Sequence, residues 1–351
     1  MVDLTRYLYA PEDSLEEFAS WKTQGILECI EQGDAFLQVV GRDPDLLKDI
    51  DLVKLSTVNR IYNEHLSPIR KHQARDSIQW CIVCPPTPGW ASRVYPDKEP
   101  DLAEKELWKA VIKTCRLDEA DPVAFWREYL AVINKRAAFL TEKAYQELLF
   151  TGPGTDLKVG LPEGHIWLGG GGKTQAGLPF TANLPTEEVF TLPHKYRVEG
   201  KVTATKPLSY RGMLMDNFWM RFSEGKVVEY SAEVGEGKLG SLLDTDQNSR
   251  YLGEVALVPH QTPISQSGVV FLNTLYDENS SNHLALGNAY RFNLSGANDL
   301  SPEEFAQAGG NESNIHVDFM FGSGEMDVDG VLPDGSKESV MKAGEWVYDV
   351  E

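Results

Sequence analysis

Between Gly253 and Asp318 the chain repeatedly places carboxylates and imidazoles inside apolar, strand-like runs. Glu254 heads Val255-Ala256-Leu257-Val258, His283 opens Leu284-Ala285-Leu286, and His316-Val317-Asp318 is flanked by Ile315 and Phe319. A carboxylate buried without a partner is costly, so any fold that accepts these runs as strands must partner each acid. On a strand, residues two apart share a face, so His316 and Asp318 offer a nitrogen and an oxygen to the same point. A divalent cation answers both demands, and mixed N/O donors suit zinc, cobalt or manganese. Glu278 lies five residues before His283, where a loop-to-helix turn would bring the two together. Glu187 and Glu188 form one further acidic pair beside apolar residues. Taken singly, each of these residues has a plainer reading as a paired core or surface group.

The rest of the chain reads as two parts. Up to about residue 150 helical signals dominate: a Ser14/Glu17 capping box before Phe18, Trp21 and Ile26, an Asp43-Pro44 start before Leu46 to Leu55, and amphipathic helices over roughly 101–115 and 122–149. Ile78 to Cys84 reads as a buried strand stopped by Pro85-Pro86. Turn chemistry at Thr151-Gly152-Pro153-Gly154 opens a strand-rich texture. Strands are expected over 157–161, 196–204, 208–222, 226–233, 255–258, 315–321 and 346–350, with a helix over 238–246. The expectation is an α/β fold: a helix-rich α/β N-terminal domain (1–150) and a β-rich α+β domain (151–351).

Composition narrows the partners. With 33 Lys and Arg against 53 Asp and Glu, the formal charge of −20 opposes phosphate backbones and anionic lipid. No nucleic acid or membrane partner is expected, and the first residues lack the basic and apolar regions of a secretory signal. Four clustered cysteines are too few for a disulfide scaffold, which fits a cytoplasmic protein. Cys81-x-x-Cys84 sits within an apolar strand with no second pair, so it reads as structural. Gly169-Gly170-Gly171-Gly172-Lys173-Thr174 fails as a phosphate loop, because Trp167 stands where the first glycine is needed. A serine or cysteine hydrolase is disfavoured, since no G-x-S-x-G elbow or His-flanked cysteine is present.

Several longer stretches add to this. They are Pro185-Thr186-Glu187-Glu188-Val189-Phe190, Lys206-Pro207-Leu208-Ser209-Tyr210, Gly253-Glu254-Val255-Ala256-Leu257-Val258-Pro259, Asn273-Thr274-Leu275-Tyr276-Asp277-Glu278-Asn279, His283-Leu284-Ala285-Leu286-Gly287 and His316-Val317-Asp318-Phe319-Met320. In this order they resemble the aminopeptidase T and aminopeptidase S family of dinuclear metallo-aminopeptidases, over essentially the whole chain. The resemblance implies two divalent ions (zinc, cobalt, manganese or magnesium) held by Glu188, Glu254, Glu278, His283, His316 and Asp318. It implies that Glu254 bridges them, that Glu188 rather than Glu187 is the ligand, and that Tyr290 helps stabilise the transition state. It also implies peptide substrates with a free N-terminus, a homodimer, and further N-terminal segments that precede the point matching Met1 in the family. Two alternatives stand beside it: an amidase or deacylase using the same ligands, and a non-catalytic metal-binding subunit.

Overall fold

Amphipathic helices and paired strands build the architecture, which is that of a computed structural model. It describes residues 2–41, 43, 46–47, 49–73, 75–210 and 213–350. The helices are α1 (Val2–Tyr9), α2 (Ser20–Glu31), α3 (Leu52–Gln73), α4 (Pro88–Val94), α5 (Pro100–Thr114), α6 (Pro122–Lys143) and α7 (Glu236–Leu243), followed by three short ones, α8 (Pro263–Gln266), α9 (Thr274–Asp277) and α10 (Pro302–Gln307). The earlier strands are β1 (Phe36–Val39), β2 (Trp80–Val83), β3 (Glu147–Gly152), β4 (Thr155–Gly160), β5 (Leu168–Gly169), β6 (Gly172–Lys173), β7 (Pro179–Phe180), β8 (Val189–Thr191) and β9 (Val198–Thr203). The later ones are β10 (Leu208–Tyr210), β11 (Met213–Ser223), β12 (Lys226–Val234), β13 (Leu252–Leu257), β14 (His283–Gly287), β15 (His316–Met320), β16 (Asp327–Val331), β17 (Lys337–Lys342) and β18 (Glu345–Trp346). This is a mixed α/β fold. No helix among the described residues is long and apolar enough to cross a membrane.

Two compact units are present: residues 1–108 with 172–182, and residues 109–171 with 183–351. In the first, β1 and β2 pair in parallel, and Tyr7, Leu15, Ile50 and Val58 form a small core. The second holds a nine-stranded sheet and a five-stranded sheet of order β15-β14-β13-β8-β5. Both sheets and α6 feed one apolar core, where Phe150 meets Phe321 at 5.1 Å and Phe218 meets Phe319 at 5.8 Å. The turn at Gly152-Pro153-Gly154 is the hairpin between β3 and β4 and lies inside this second unit.

Several expected boundaries move for local reasons. The helix expected over 122–149 stops at Lys143, where Ala144 takes a left-handed conformation. Glu147–Gly152 is a strand that buries alternate residues Leu148 and Phe150. Ser14 does not cap a helix: its hydroxyl donates to the Pro11 carbonyl within a 3-10 turn, and α2 starts only at Ser20. The Asp43-Pro44 start lies partly outside the described residues. Instead, α3 begins at Leu52, and the Asp51 carboxylate accepts from the Val53 and Lys54 amides at 2.9 and 3.1 Å. β2 is half-buried rather than buried. The strand expected over 208–222 is two strands, β10 and β11, and 211–212 lie outside the described residues. The last strand keeps only Glu345–Trp346.

The five-stranded sheet separates its two faces sharply. Val255, Leu257, Leu284, Leu286, Val317 and Phe319 belong to the core. Glu254, Ala285 and Asp318 lie side by side across three strands and therefore share the opposite face. An extra residue at Gly253 shifts the β13 register, so Leu252 pairs with Leu286 on the core side and Glu254 with Ala285 on the other. Leu284→Ala should therefore cost about 2–5 kcal/mol in denaturant unfolding while leaving the metal stoichiometry of the folded protein unchanged.

Candidate metal centre

One face of this sheet gathers the acids and imidazoles. Glu254 comes from the middle of β13, His283 from the start of β14, and His316 and Asp318 from β15. Glu188 immediately precedes β8, two residues before Phe190, which pairs with Ala256 on the same face. Small side chains leave the room: Ala285 lies between Glu254 and Asp318, and Gly287 lies opposite His316. Gly287 has φ +101°, and a Cβ there would meet the Ile315 carbonyl at 2.2 Å. A Cβ at Gly169 would meet the Glu188 carbonyl at 2.4 Å, so β5 approaches Glu188 only as glycine.

The donor atoms fall into two groups that share Glu254: Glu188, Glu254 and His283, and Glu254, His316 and Asp318, each within 4.8 Å of one another. Glu254 Oε1 lies 3.5 Å from His283 Nε2, and its Oε2 lies 3.6 Å from His316 Nε2. His283 Nε2 is 3.0 Å from Glu188 Oε2, and His316 Nε2 is 3.5 Å from Asp318 Oδ1. Apart from these imidazole contacts, Glu188 Oε2 and Asp318 Oδ1 are buried without a hydrogen-bond partner. Each imidazole turns its other nitrogen to a backbone carbonyl, His283 Nδ1 to Ser281 at 3.2 Å and His316 Nδ1 to Asn288 at 2.7 Å. A carbonyl only accepts, so Nδ1 carries the proton and Nε2 is left to face the acids. Orphaned buried oxygens converging with two such nitrogens fit a divalent cation.

Glu278 opens a 3-10 turn after Asp277 rather than a helix, and it lies outside both tight groups. Asn183 Nδ2 donates to its Oε1 at 3.4 Å. Burial, then Asp318 and Glu188, hold its pKa well above the ordinary carboxylate value, so it adjoins the cluster. Tyr290 stands in extended backbone just before a 3-10 turn, with its ring 4.8 Å from that of His316. Burial and the neighbouring Glu254 and Asp318 keep its phenol protonated far above its usual pKa.

A second layer, not legible as functional in the sequence, backs the cluster. Glu187 turns away from it and is buried in a pair with Arg116, whose Nη2 donates to Oε2 at 3.1 Å. Tyr129 donates to the same carboxylate, and its ring lies 4.5 Å from the Arg116 guanidinium. Asn279 Oδ1 accepts from the Glu187 amide at 2.7 Å while its Nδ2 donates to Leu275 at 2.9 Å. One asparagine thus ties the backbone entering Glu188 to the turn that carries Glu278. Asn279 stands in a noticed motif without a sign of this role, and nothing around Arg116 in the sequence marks it. His260 makes a different contact, with Nδ1 3.0 Å from Ser265 Oγ.

A buried face of carboxylates and imidazoles with these tautomers is the equipment of a metal-dependent hydrolase. Residues 1–346 match the family described as thermophilic metalloprotease (M29). Aminopeptidase T of Thermus aquaticus is 44% identical over 342 residues, covering 97% of this chain and 83% of that protein. Aminopeptidase 2 of Geobacillus stearothermophilus is 42% identical over 345 residues, covering 98% and 84%. The solved structure of wild-type AmpT from Thermus thermophilus superposes with a TM-score of 0.92 at 41% identity, covering 99% of this chain and 85% of that one. The chain belongs to the M29 family of thermophilic metalloproteases, and it is a metal-dependent peptidase.

Two outcomes follow from the site. Burial opposes charge on both imidazoles, but Glu188 and Glu254 raise His283 well above its ordinary value, and Asp318 and Glu254 raise His316 to about 9. Burial also raises Glu254. These protons are held in the metal-free protein and must leave before the atoms can bind a cation. Zinc or cobalt affinity, measured by chelator competition, should therefore rise between pH 6 and 9 with proton release. A flat profile would contradict the donor set. Arg116→Met leaves the Glu187 carboxylate buried without its cation, and should lower unfolding free energy by about 3–5 kcal/mol in denaturant titration.

Proposed function

We propose that this chain is a metal-dependent aminopeptidase that releases N-terminal residues from peptides using two divalent ions. Glu188, Glu254, Glu278, His283, His316 and Asp318 would hold them, with Glu254 shared. The carrying observation is the pair of donor groups meeting at Glu254, each containing a buried oxygen with no hydrogen-bond partner. Charge supports the number: Glu188, Glu254, Glu278 and Asp318 carry four negative charges when ionised, which two divalent cations balance. The names of the relatives support the exopeptidase reading. Zinc, cobalt, manganese and magnesium all accept such donors, and availability selects among them. The resemblance supports a homodimer, and four cysteines, none of them in a disulfide, suit a cytoplasmic setting.

When bound, the ions supply Lewis-acid polarisation of the scissile carbonyl and a lowered pKa for water. The chain's own residues do the rest. The Nδ1 hydrogen bonds of His283 and His316 fix both rings, so Nε2 meets a cation without reorganisation. The Arg116–Glu187 pair and Asn279 hold the backbone that enters Glu188. Glu278, beside the two tight groups, would add a fourth carboxylate to the donors that hold the ions. The protonated Tyr290 hydroxyl donates to the oxygen that becomes negative as the peptide carbonyl is attacked.

Elemental analysis coupled to an assay on aminoacyl-arylamides tests this. Two ions per chain and metal-restored release are expected, and N-acetylated peptides should be inert; cleavage of N-acetylated peptides would favour the amidase alternative. Glu254→Gln should abolish turnover, and near-normal activity in that variant would remove Glu254 from the site. Tyr290→Phe should retain its metal and lose about 10²–10³-fold in kcat.

A further inference from the structure

Phe190, Tyr290 and Phe292 form an aromatic shelf beside the cluster. Tyr290 and Phe292 are stacked, their centroids 5.0 Å and their planes 8° apart. Phe190 meets both edge-on, at 6.3 and 6.4 Å. Register fixes where the shelf stands. Phe190 pairs with Ala256, and Ala256 pairs with His283, so the Phe190 ring rises from the face that carries the acids. At the other end Tyr290 contacts the His316 ring at 4.8 Å.

The core aromatics Phe319 and Phe321 are fully buried, whereas Phe190, Tyr290 and Phe292 are only half-buried. The shelf is also held rigid. Asn293 is 1% exposed, and its Nδ2 donates to the Ile166 and Phe190 carbonyls at 3.0 and 3.3 Å, locking the 290–293 turn to β8. A fixed, half-open aromatic surface against a dense set of carboxylates is an apolar wall next to a polar floor, the usual composition of a small-ligand site. An N-terminal residue has the matching pair of features, a free amine and a side chain two bonds away.

We propose that the open faces of Phe190 and Phe292 receive the first side chain of the substrate, selecting large apolar and aromatic N-terminal residues over small ones. This rests on the aminopeptidase reading. The acid-lined metal centre would hold the substrate's free amino end, and the shelf then discriminates by buried area, where each methylene changes selection by about 10–200-fold. Phe292 is half-buried and carries none of the donor atoms, so it is a specificity residue rather than part of the chemistry.

The test compares metal-loaded wild type, Phe292→Ala and Phe292→Leu on the p-nitroanilides of phenylalanine, leucine and alanine. Calorimetric affinities for L-phenylalaninamide and L-alaninamide are measured beside them. Wild type should prefer phenylalanine to alanine. Phe292→Ala should lose about 10–100-fold in kcat/KM and affinity for phenylalanine, with alanine changed by less than about 3-fold. Phe292→Leu should recover much of the loss. Parallel losses on all three substrates, or an unchanged phenylalanine-to-alanine ratio, would overturn the shelf as a side-chain site. If wild type cleaves none of the anilides yet binds L-phenylalaninamide more tightly than L-alaninamide, and Phe292→Ala removes that difference, the shelf stands and the aminopeptidase reading fails.

Discussion

Burial of Glu188, Glu254 and Asp318 within reach of one another sets the terms for the second unit. Each isolated buried charge costs several kcal/mol, and like charges add repulsion at short range. Two imidazoles offset part of this by pairing with the acids. They do not offset all of it, because two imidazoles face the carboxylates of Glu188, Glu254 and Asp318, and Glu188 Oε2 and Asp318 Oδ1 have no other partner. A divalent cation removes both costs at once. Metal binding is therefore folding energy for this sheet face as well as a source of chemistry.

The five-stranded sheet makes that face possible by dividing its residues. Odd and even positions of β13, β14 and β15 go to an apolar core and to the acid cluster, and the Gly253 bulge adjusts β13 so that both assignments hold. Alanine and glycine at 285 and 287 keep the centre of the cluster clear. Behind it, Arg116 and Tyr129 hold Glu187, while Asn279 joins the Glu188 and Glu278 segments. The site is thus borne by regular strands and backed by a buried polar network, which is the arrangement that keeps donors in place before any ligand arrives.

Much of this was legible along the chain because period-two alternation is a local signal. His316 and Asp318 share a face for that reason alone, and Glu254 stood out as an acid heading an apolar run. Glu188 could be told from Glu187 only by resemblance: the structural difference is that Glu187 pairs with Arg116, a contact spanning 71 residues. Glu278 and Tyr290 sit in short turns, which carry no periodicity. The same limit moved the element ends. Residues 147–149 continue an apolar helical pattern, and the left-handed Ala144 and the pairing with β4 and β16 turn them into a strand. Long-range partners, not propensity, decided these cases.

Anomalous diffraction from crystals grown with cobalt or zinc tests the central claim most directly. The account predicts two peaks flanking Glu254, one bounded by Glu188 and His283 and the other by His316 and Asp318. A fully active peptidase with no peak at either position, or with its metal bound away from Glu254, would contradict it.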